Sequence, residues 1–323
     1  MVSRLVRRTT TCFLPLQQAR AIFMAGISSR SLGSSASPIA PLPSPPQGLE
    51  IACVPCLGDN YGWLVHDPVS KQTASIDSPE AGPLLRVLDE RGWALSHVFI
   101  THHHHDHCGG NPELKARWPD CSIVGPAAEE GKIVNTCGLG LDVGLGGGDS
   151  FSWGGGNVDI IDVGGHTLGH IAYHWKPQSP APEESPPGCV FVGDSLFVLG
   201  CGRLFEGTAA QAWTSLQRLM ALEDNTVVYC AHEYSAANAK FAETIEGPKS
   251  NPELAARITD IRARRSSVPP TPTVPTTIGI EKATNPFLRP AAVRAALANK
   301  SSLTVSSSDV DSFTEVRRRK DNF

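Results

Sequence analysis

No run of eighteen apolar residues occurs in the 323-residue chain, which excludes a membrane-spanning helix. A surplus of cations is also missing. Net charge is −4, so the electrostatic footprint of a nucleic-acid binder is absent. Cysteine is too thinly spread for a disulfide framework, with nine residues scattered along a long chain. Cys53-Val-Pro-Cys56 has no second CxxC to complete a zinc site, and it lies in an apolar run that reads as a buried strand. Gly138–Gly156 is glycine-rich, yet no Gly-Lys-Ser/Thr follows, so it is not a phosphate loop and reads as turns.

Acidic residues are absent from the first 49 positions, which carry Arg4, Arg7, Arg8, Arg20 and Arg30. Setting those five arginines aside moves the net charge from −4 to −9. Arg-rich, Ser-rich and acid-free is the composition of an organelle transit peptide. Residues 1–48 are therefore expected to address the protein to the mitochondrial matrix, with a plastid as the alternative. What remains suits two domains at roughly 100–200 residues each. Apolar strand-like segments recur from Leu49 to Cys230: Leu49–Cys56, Tyr61–His66, Thr73–Asp77, His97–Ile100, Ser122–Val124, Val158–Val163, Ile171–Trp175, Val190–Val192 and Val227–Cys230. Helices are predicted from Pro79 to about Glu90 and over Asn111–Trp118. Pro177–Gly188 reads as a solvated loop. Beyond His232 the segments Ala236–Glu246, Glu253–Arg265, Ala291–Asn299 and Val310–Arg319 have helical length and composition, and Val268–Thr277 is a proline-rich crossing. An α/β sandwich over 49–232, followed by an all-helical domain over 233–323, is the fold this order implies.

Five of eleven histidines fall within six positions, His102, His103, His104, His105 and His107, with Asp106 among them. The run leaves an apolar strand, where residues two apart point the same way. His102 and His104 are thus placed to grip one ion, and Asp106 and His107 to face a second. His103 and His105 point elsewhere. Three more apolar strands each end at a donor: His166 in Gly164–His170, Asp194 after Gly193, and His232 after Ala231. A lone donor after a strand is usually a cap or turn residue; four such positions together are not. The first ion is assigned His102, His104 and His166, the second Asp106, His107 and His232, and Asp194 bridges them. The carboxylates Asp106 and Asp194 are the expected catalytic groups. Nitrogen and oxygen donors of this mixture suit two divalent ions, and ligand type alone does not choose among zinc, iron and manganese; zinc is the first expectation, with iron or manganese as alternatives. Two ions roughly 3.5–4 Å apart lower the pKa of a bound water toward about 7 and polarise a carbonyl, which is hydrolytic chemistry.

Thr101–His107 resembles the THxHxDH signature of the metallo-β-lactamase superfamily. Further segments narrow the resemblance to glyoxalase II, the hydroxyacylglutathione hydrolases, in a plant-like organellar form. They include Asp59-Asn60-Tyr61, Gly165-His166-Thr167, Gly193-Asp194, Gly200–Thr208, Tyr229–Tyr234, Lys282–Arg289 and Arg319–Phe323. The resemblance implies an αββα sandwich with a dinuclear site, followed by a helical glutathione-binding domain. It also implies hydrolysis of S-D-lactoylglutathione to D-lactate and glutathione, by a monomer acting on a small-molecule thioester. Glutathione would be held by Arg203, Tyr234, Arg317 and Lys320, with Phe205 lining the site. The chain departs from the family pattern at several places: Arg203 replaces a lysine, Phe205 lacks a tyrosine hydroxyl, His105 stands where an aromatic is common, Asp77-Ser78-Pro79 reorders a typical Asp-Pro pair, and the Pro177–Gly188 loop is longer than usual. Asp77 is expected to orient a ligand. The rivals are a mononuclear iron persulfide dioxygenase of the same superfamily and a histidine-rich metal-binding protein. Metal count and oxygen uptake separate the first, and the four post-strand donors argue against the second.

Overall fold

The computed structural model describes residues 41–46, 48–176, 188–247, 249–298, 303–304 and 306–323, which belong to one compact unit. The expectations for residues 1–40 and for the loop 177–187 lie outside the described residues. The first sheet contains β1 (Glu50–Cys56), β2 (Asn60–His66), β3 (Thr73–Ile76), β4 (His97–Phe99), β5 (Ser122–Pro126) and β6 (Val143–Leu145), in that spatial order. Its first three strands are antiparallel, and β3 to β6 run parallel. The second sheet begins with β7 (Ser150–Trp153), β8 (Gly156–Asp162), β9 (Ile171–Lys176) and β10 (Cys189–Gly193). A short ribbon of β11 (Leu196–Phe197) and β12 (Gly200–Cys201) follows. The second sheet is then completed by β13 (Val227–Cys230), parallel to β10, and β14 (Thr276–Thr277).

The sheets pack face to face because their strands alternate. Trp63 and Val65 of β2 point to the inner core while Leu64 points to the outer face; Phe99 of β4 points in and Val98 out. Across the interface Phe99 meets Tyr173 edge-on at 5.0 Å, and Trp63 meets Tyr229 at 4.8 Å. The outer face of the first sheet is covered by α1 (Ala81–Arg91), α3 (Asn111–Arg117) and α4 (Glu130–Cys137), through Leu84, Leu88, Leu114 and Ile133. Between α1 and α3 lies the single-turn α2 (His105–Cys108). Against the second sheet lies α5 (Ala209–Met220), started by a Thr208–Gln211 capping box. Beyond it come α6 (Ser235–Ile245), α7 (Pro252–Ser266), α8 (Ile278–Thr284), α9 (Pro290–Leu297) and α10 (Asp309–Asp321). Phe241, Phe287, Phe313 and Val316 of this region continue the inner core without a break. Each fully buried side chain such as Leu64 or Phe287 contributes roughly 1.5–3 kcal/mol.

The α/β sandwich and its helical appendage are as the sequence implies, with two corrections. Gly138–Gly156 is not all turn: it holds β6, β7 and the start of β8. Gly154 and Gly155, at φ +54° and +66°, form the two-residue turn of the β7–β8 hairpin, so the glycines there mark strand pairing. Thr276 and Thr277, within the helical segment, form the edge strand of the second sheet. The helices α4, α5 and α8 were not anticipated.

Candidate metal centre

The donors lie where strands end. β3 and β4 are parallel neighbours, so Asp77 after β3 stands beside Thr101 after β4. The Asp77 carboxylate accepts from the Thr101 backbone N–H and hydroxyl, both at 2.9 Å, and from His107 Nδ1 at 2.8 Å. At the end of β10, Gly193 adopts φ +48°, and a Cβ there would sit 2.5 Å from Thr101 Oγ1. Only glycine lets the strand carrying Asp194 come this close to the histidine loop.

All seven predicted donors converge. Three interlocking sets have ligand atoms within 4.8 Å of one another: His102, His104 and His166; His102, His107 and Asp194; Asp106, His107 and His232. The Asp194 carboxylate divides between them. Its Oδ2 is 3.4 Å from His166 Nε2, and its Oδ1 is 3.3 and 3.5 Å from the Nε2 atoms of His232 and His107. Asp106 Oδ2 lies 3.5 Å from His232 Nε2 and accepts from Asn60 Nδ2 at 3.0 Å.

Four of the five imidazoles are tethered from behind through Nδ1. His102 reaches Thr101 Oγ1 (3.0 Å), whose own proton goes to Asp77. His107 reaches Asp77, His166 the Arg203 carbonyl (2.8 Å) and His232 the Asp59 carboxylate (2.8 Å). Each tether places the proton on Nδ1 and turns the bare Nε2 inward. His104 faces inward through Nδ1, 3.0 Å from both His102 Nε2 and His166 Nε2. One proton on His104 can satisfy only one of those two lone pairs. Among the described residues, His107 Nε2 and Asp194 Oδ1 are buried with no hydrogen-bond partner. Lone pairs and carboxylate oxygens aimed at one another in a buried space fit divalent cations and little else.

The electrostatics agree. Burial pushes His102 well below its ordinary value and His104 down to about 4, which leaves both neutral. Burial alone would raise Asp194, yet His107 and His232 hold it well below the ordinary carboxylate range. Burial would likewise lower His107, but the carboxylates of Asp194 and Asp77 hold it well above. The second set therefore holds a positive charge even with only protons available.

A cavity of about 620 Å³ opens over these donors. His104, Asp106, His166, Asp194 and His232 form its floor, and Arg203, Phe205, Tyr234, Arg317 and Lys320 also line it. Tyr234 stacks on the His232 ring at 4.6 Å, and the exposed Phe205 ring meets His166 edge-on at 5.2 Å. Arg317 is nearly buried, donating to the Cys201 carbonyl at 3.0 Å and to Asp321 at 2.7 Å. Lys320 sits 5.3 Å from the Phe241 and Phe323 rings, and burial lowers its pKa. Arg203 is 60% exposed, its Nε 3.5 Å from Asp321.

Three positioning residues were missed. Glu129, 1% exposed, accepts from the His103 N–H, from the His103 ring and from the Gly169 N–H at 2.8–2.9 Å. It ties the loop of His102 and His104 to the loop of His166. His170 stacks on His102 at 4.5 Å and accepts from the Asp194 N–H at 3.1 Å. Asp59 tethers His232. Asp59 and His170 stand inside segments the sequence had singled out, whereas no local pattern marks Glu129. His103 is turned to Glu129 and His105 is exposed, so neither joins the donor cluster.

Two family models match the chain: the metallo-beta-lactamase superfamily over residues 58–232 and the hydroxyacylglutathione hydrolase C-terminus over residues 233–323. A hydroxyacylglutathione hydrolase of Roseobacter denitrificans is 48% identical over 277 residues, covering 85% of this chain and 99% of the relative. Another, from Rhizobium meliloti, is 46% identical over the same shares. Among solved structures, ETHE1 from Myxococcus xanthus has a TM-score of 0.55 at 23% identity, covering 83% of this chain and 90% of its own. The BLEG-1 B3 metallo-beta-lactamase has 0.54 at 18%, covering 74% and 99%. At such identities the likeness is one of fold.

Proposed function

Because the chain belongs to the hydroxyacylglutathione hydrolase family of the metallo-β-lactamase superfamily, we propose that it hydrolyses S-D-lactoylglutathione and related 2-hydroxyacyl thioesters to the hydroxy acid and glutathione. The observation that carries this reading is the split Asp194 carboxylate, with Oδ2 beside His166 and Oδ1 beside His107 and His232, at the floor of a cavity walled by cations.

His102, His104 and His166 would hold one divalent ion, Asp106, His107 and His232 the other, with Asp194 between them. Zinc suits this donor set first, and iron or manganese also fit it. When bound, such a pair supplies Lewis acidity, lowering the pKa of water toward about 7 and polarising a thioester carbonyl. The chain's own part is positional. Asp77, Asp59 and the Arg203 carbonyl accept from Nδ1 of His107, His232 and His166 and so aim each Nε2 inward. Asp106 and Asp194 supply the negative charge that makes the floor attractive to cations. Arg317, Lys320 and Arg203 provide positive charge for the two carboxylates of glutathione, and Tyr234 and Phe205 line the cavity beside His232 and His166. The departing thiolate needs no dedicated acid, since thiols ionise at about 8.5.

The site is complete within one chain, which supports a monomeric enzyme. The acid-free, arginine-bearing first 49 residues support import into the mitochondrial matrix. Fusing residues 1–48 to a fluorescent protein tests that address, and diffuse cytosolic signal would refute it. The activity is tested by following loss of the thioester of S-D-lactoylglutathione, with metal and oxygen measured on the same sample. Hydrolysis with two metals per chain and no oxygen uptake is expected. Oxygen consumption on a glutathione persulfide without thioester cleavage would overturn the reading.

A further inference from the structure

The hairpin β11–β12 joins two parts of the metal centre. Asp194 stands just before β11, and Arg203, whose carbonyl accepts from His166 Nδ1 at 2.8 Å, stands just after β12. At the base the two legs are pressed together: a Cβ on Gly202 would sit 2.0 Å from the Asp194 carbonyl oxygen, so only glycine fits. The Asp194 carboxylate and the His166 ring, 3.4 Å apart, are thus set from opposite ends of one ribbon. Its tip is held from behind by the helical region. Phe197 pairs with Gly200, which leaves Val198 and Leu199 as the turn, with Leu199 at φ +57°, a region that side chains rarely adopt. Asn285, directly after α8, donates through Nδ2 to the carbonyls of Phe197 at 3.2 Å and Gly200 at 3.0 Å, and to the Glu281 carboxylate at 3.0 Å. The Leu199 N–H donates to that same Glu281 oxygen at 3.1 Å. Glu281 is braced in turn by the Thr276 hydroxyl at 2.8 Å and by Arg257. Asn285 Oδ1 accepts from the Phe287 N–H at 3.0 Å, which fixes the way the amide faces. Asn238 adds a bond to the Val198 carbonyl at 3.0 Å. Turn backbone is ordinarily left to water; here it is gripped by buried side chains. Glu281 and Asn285 are fully buried, and neither lines the cavity nor belongs to a donor set.

We propose that Glu281 and Asn285 are positioning residues of the metal centre, gripping the hairpin at its tip and so fixing the spacing of Asp194 and His166 at its base. The grip acts through backbone. A loosened tip lets Leu199 leave the left-handed region, tilts the ribbon about its base and draws the Arg203 carbonyl away from His166 Nδ1. It also moves Phe197, whose ring meets His232 edge-on at 5.9 Å and Tyr234 at 5.2 Å. The helical region thereby has a second role beside supplying cations to the cavity wall: it holds donors of both sets in register. Because the effect passes through the ribbon, it is smaller than that of a direct tether such as Asp77.

The proposal rests on the reading of His166 and Asp194 as metal donors, but not on the substrate. The full-length chain is loaded with zinc for affinity and with cobalt(II) for spectroscopy. Asn285→Ser keeps an oxygen for the Phe287 N–H but is too short to reach the hairpin carbonyls. Zinc affinity, read by competition with a chelating dye, should fall about three- to tenfold, and the visible bands of the cobalt-loaded chain should shift. For S-D-lactoylglutathione, kcat should fall about tenfold while KM changes by less than about twofold. Val293→Ala opens a cavity in the core under α9 and lowers Tm, yet makes none of these bonds. It should leave zinc affinity and the cobalt bands as in the wild type. Unaltered affinity and bands in Asn285→Ser, equal changes in Val293→Ala, or a raised KM with intact kcat would overturn the proposal. Should Asn285→Ser fail to fold, Thr276→Val removes one brace of Glu281 at constant shape. About a twofold loss of zinc affinity is then expected, and no loss would overturn the proposal. A chain whose zinc affinity follows Asn285 but which never cleaves the thioester would refute the hydrolase reading alone.

Discussion

His166 and His232 on the floor of the cavity, and His102 and His107 buried beneath it, each use Nδ1 on an oxygen fixed behind them. Arg203, on the facing wall, is 60% exposed, with its nearest counter-ion 3.5 Å away on a terminal helix. The floor is rigid because cation coordination tolerates little error in angle. The wall is looser because it meets carboxylates on a flexible peptide, where charge matters more than shape. The difference also separates their energetics. A tether on the floor acts on ion affinity and on every later step, whereas a cation on the wall acts on substrate binding.

The comparison is broken most directly at Asp194. Asp194→Asn keeps the shape but removes the shared charge, and turnover should fall on the order of 10³-fold. A loss below tenfold would mean that the carboxylate is not shared. Behind the floor, Asp77→Asn should lower metal affinity about 10–100-fold, read by competition with a chelating dye. Asn tolerates the φ of +51° found there, so the backbone is preserved. Glu129→Gln should lower metal affinity about tenfold and slow turnover while leaving KM near its wild-type value. On the wall, Lys320→Met should raise KM about tenfold with kcat nearly unchanged, the signature of lost ground-state binding. A matching fall in kcat would place Lys320 in the floor's class.

The smallest effect comes from a histidine in neither region. Burial, aided by Lys176, holds His174 at about 4 despite Asp159, against an ordinary value of 6.5. As pH falls below 6.5 the unfolded chain takes up a proton that the folded chain refuses until about 4. Stability therefore declines across that window and levels off beneath it. In the metal-loaded protein, His174→Gln should reduce the fall in Tm between pH 6.5 and 4 by on the order of 5 °C. An unchanged profile would show that His174 is not the group responsible.

The donors were legible because each follows a short apolar strand, so a one-dimensional pattern carried the three-dimensional information. Their tethers were less so. Asp77 stood out beside a proline turn, but Glu129 owes its burial to contacts 26 and 40 residues away, which no local pattern encodes. The Arg203 contribution to His166 is a backbone carbonyl, a group every residue has. In the fold, long alternating strands announced themselves, while β6 and β7 were masked by the glycines that let them turn. The signal for α5 was present in Thr208-x-x-Gln211, a capping pair ahead of Trp213 and Leu216.

The central claim is that one carboxylate serves two cations. Native mass spectrometry of the purified chain, before and after Asp194→Asn, tests it. Two metal ions per wild-type chain and one or none in the variant is the expected result. A single ion in fully active wild type, with the count unaltered by the substitution, would contradict it.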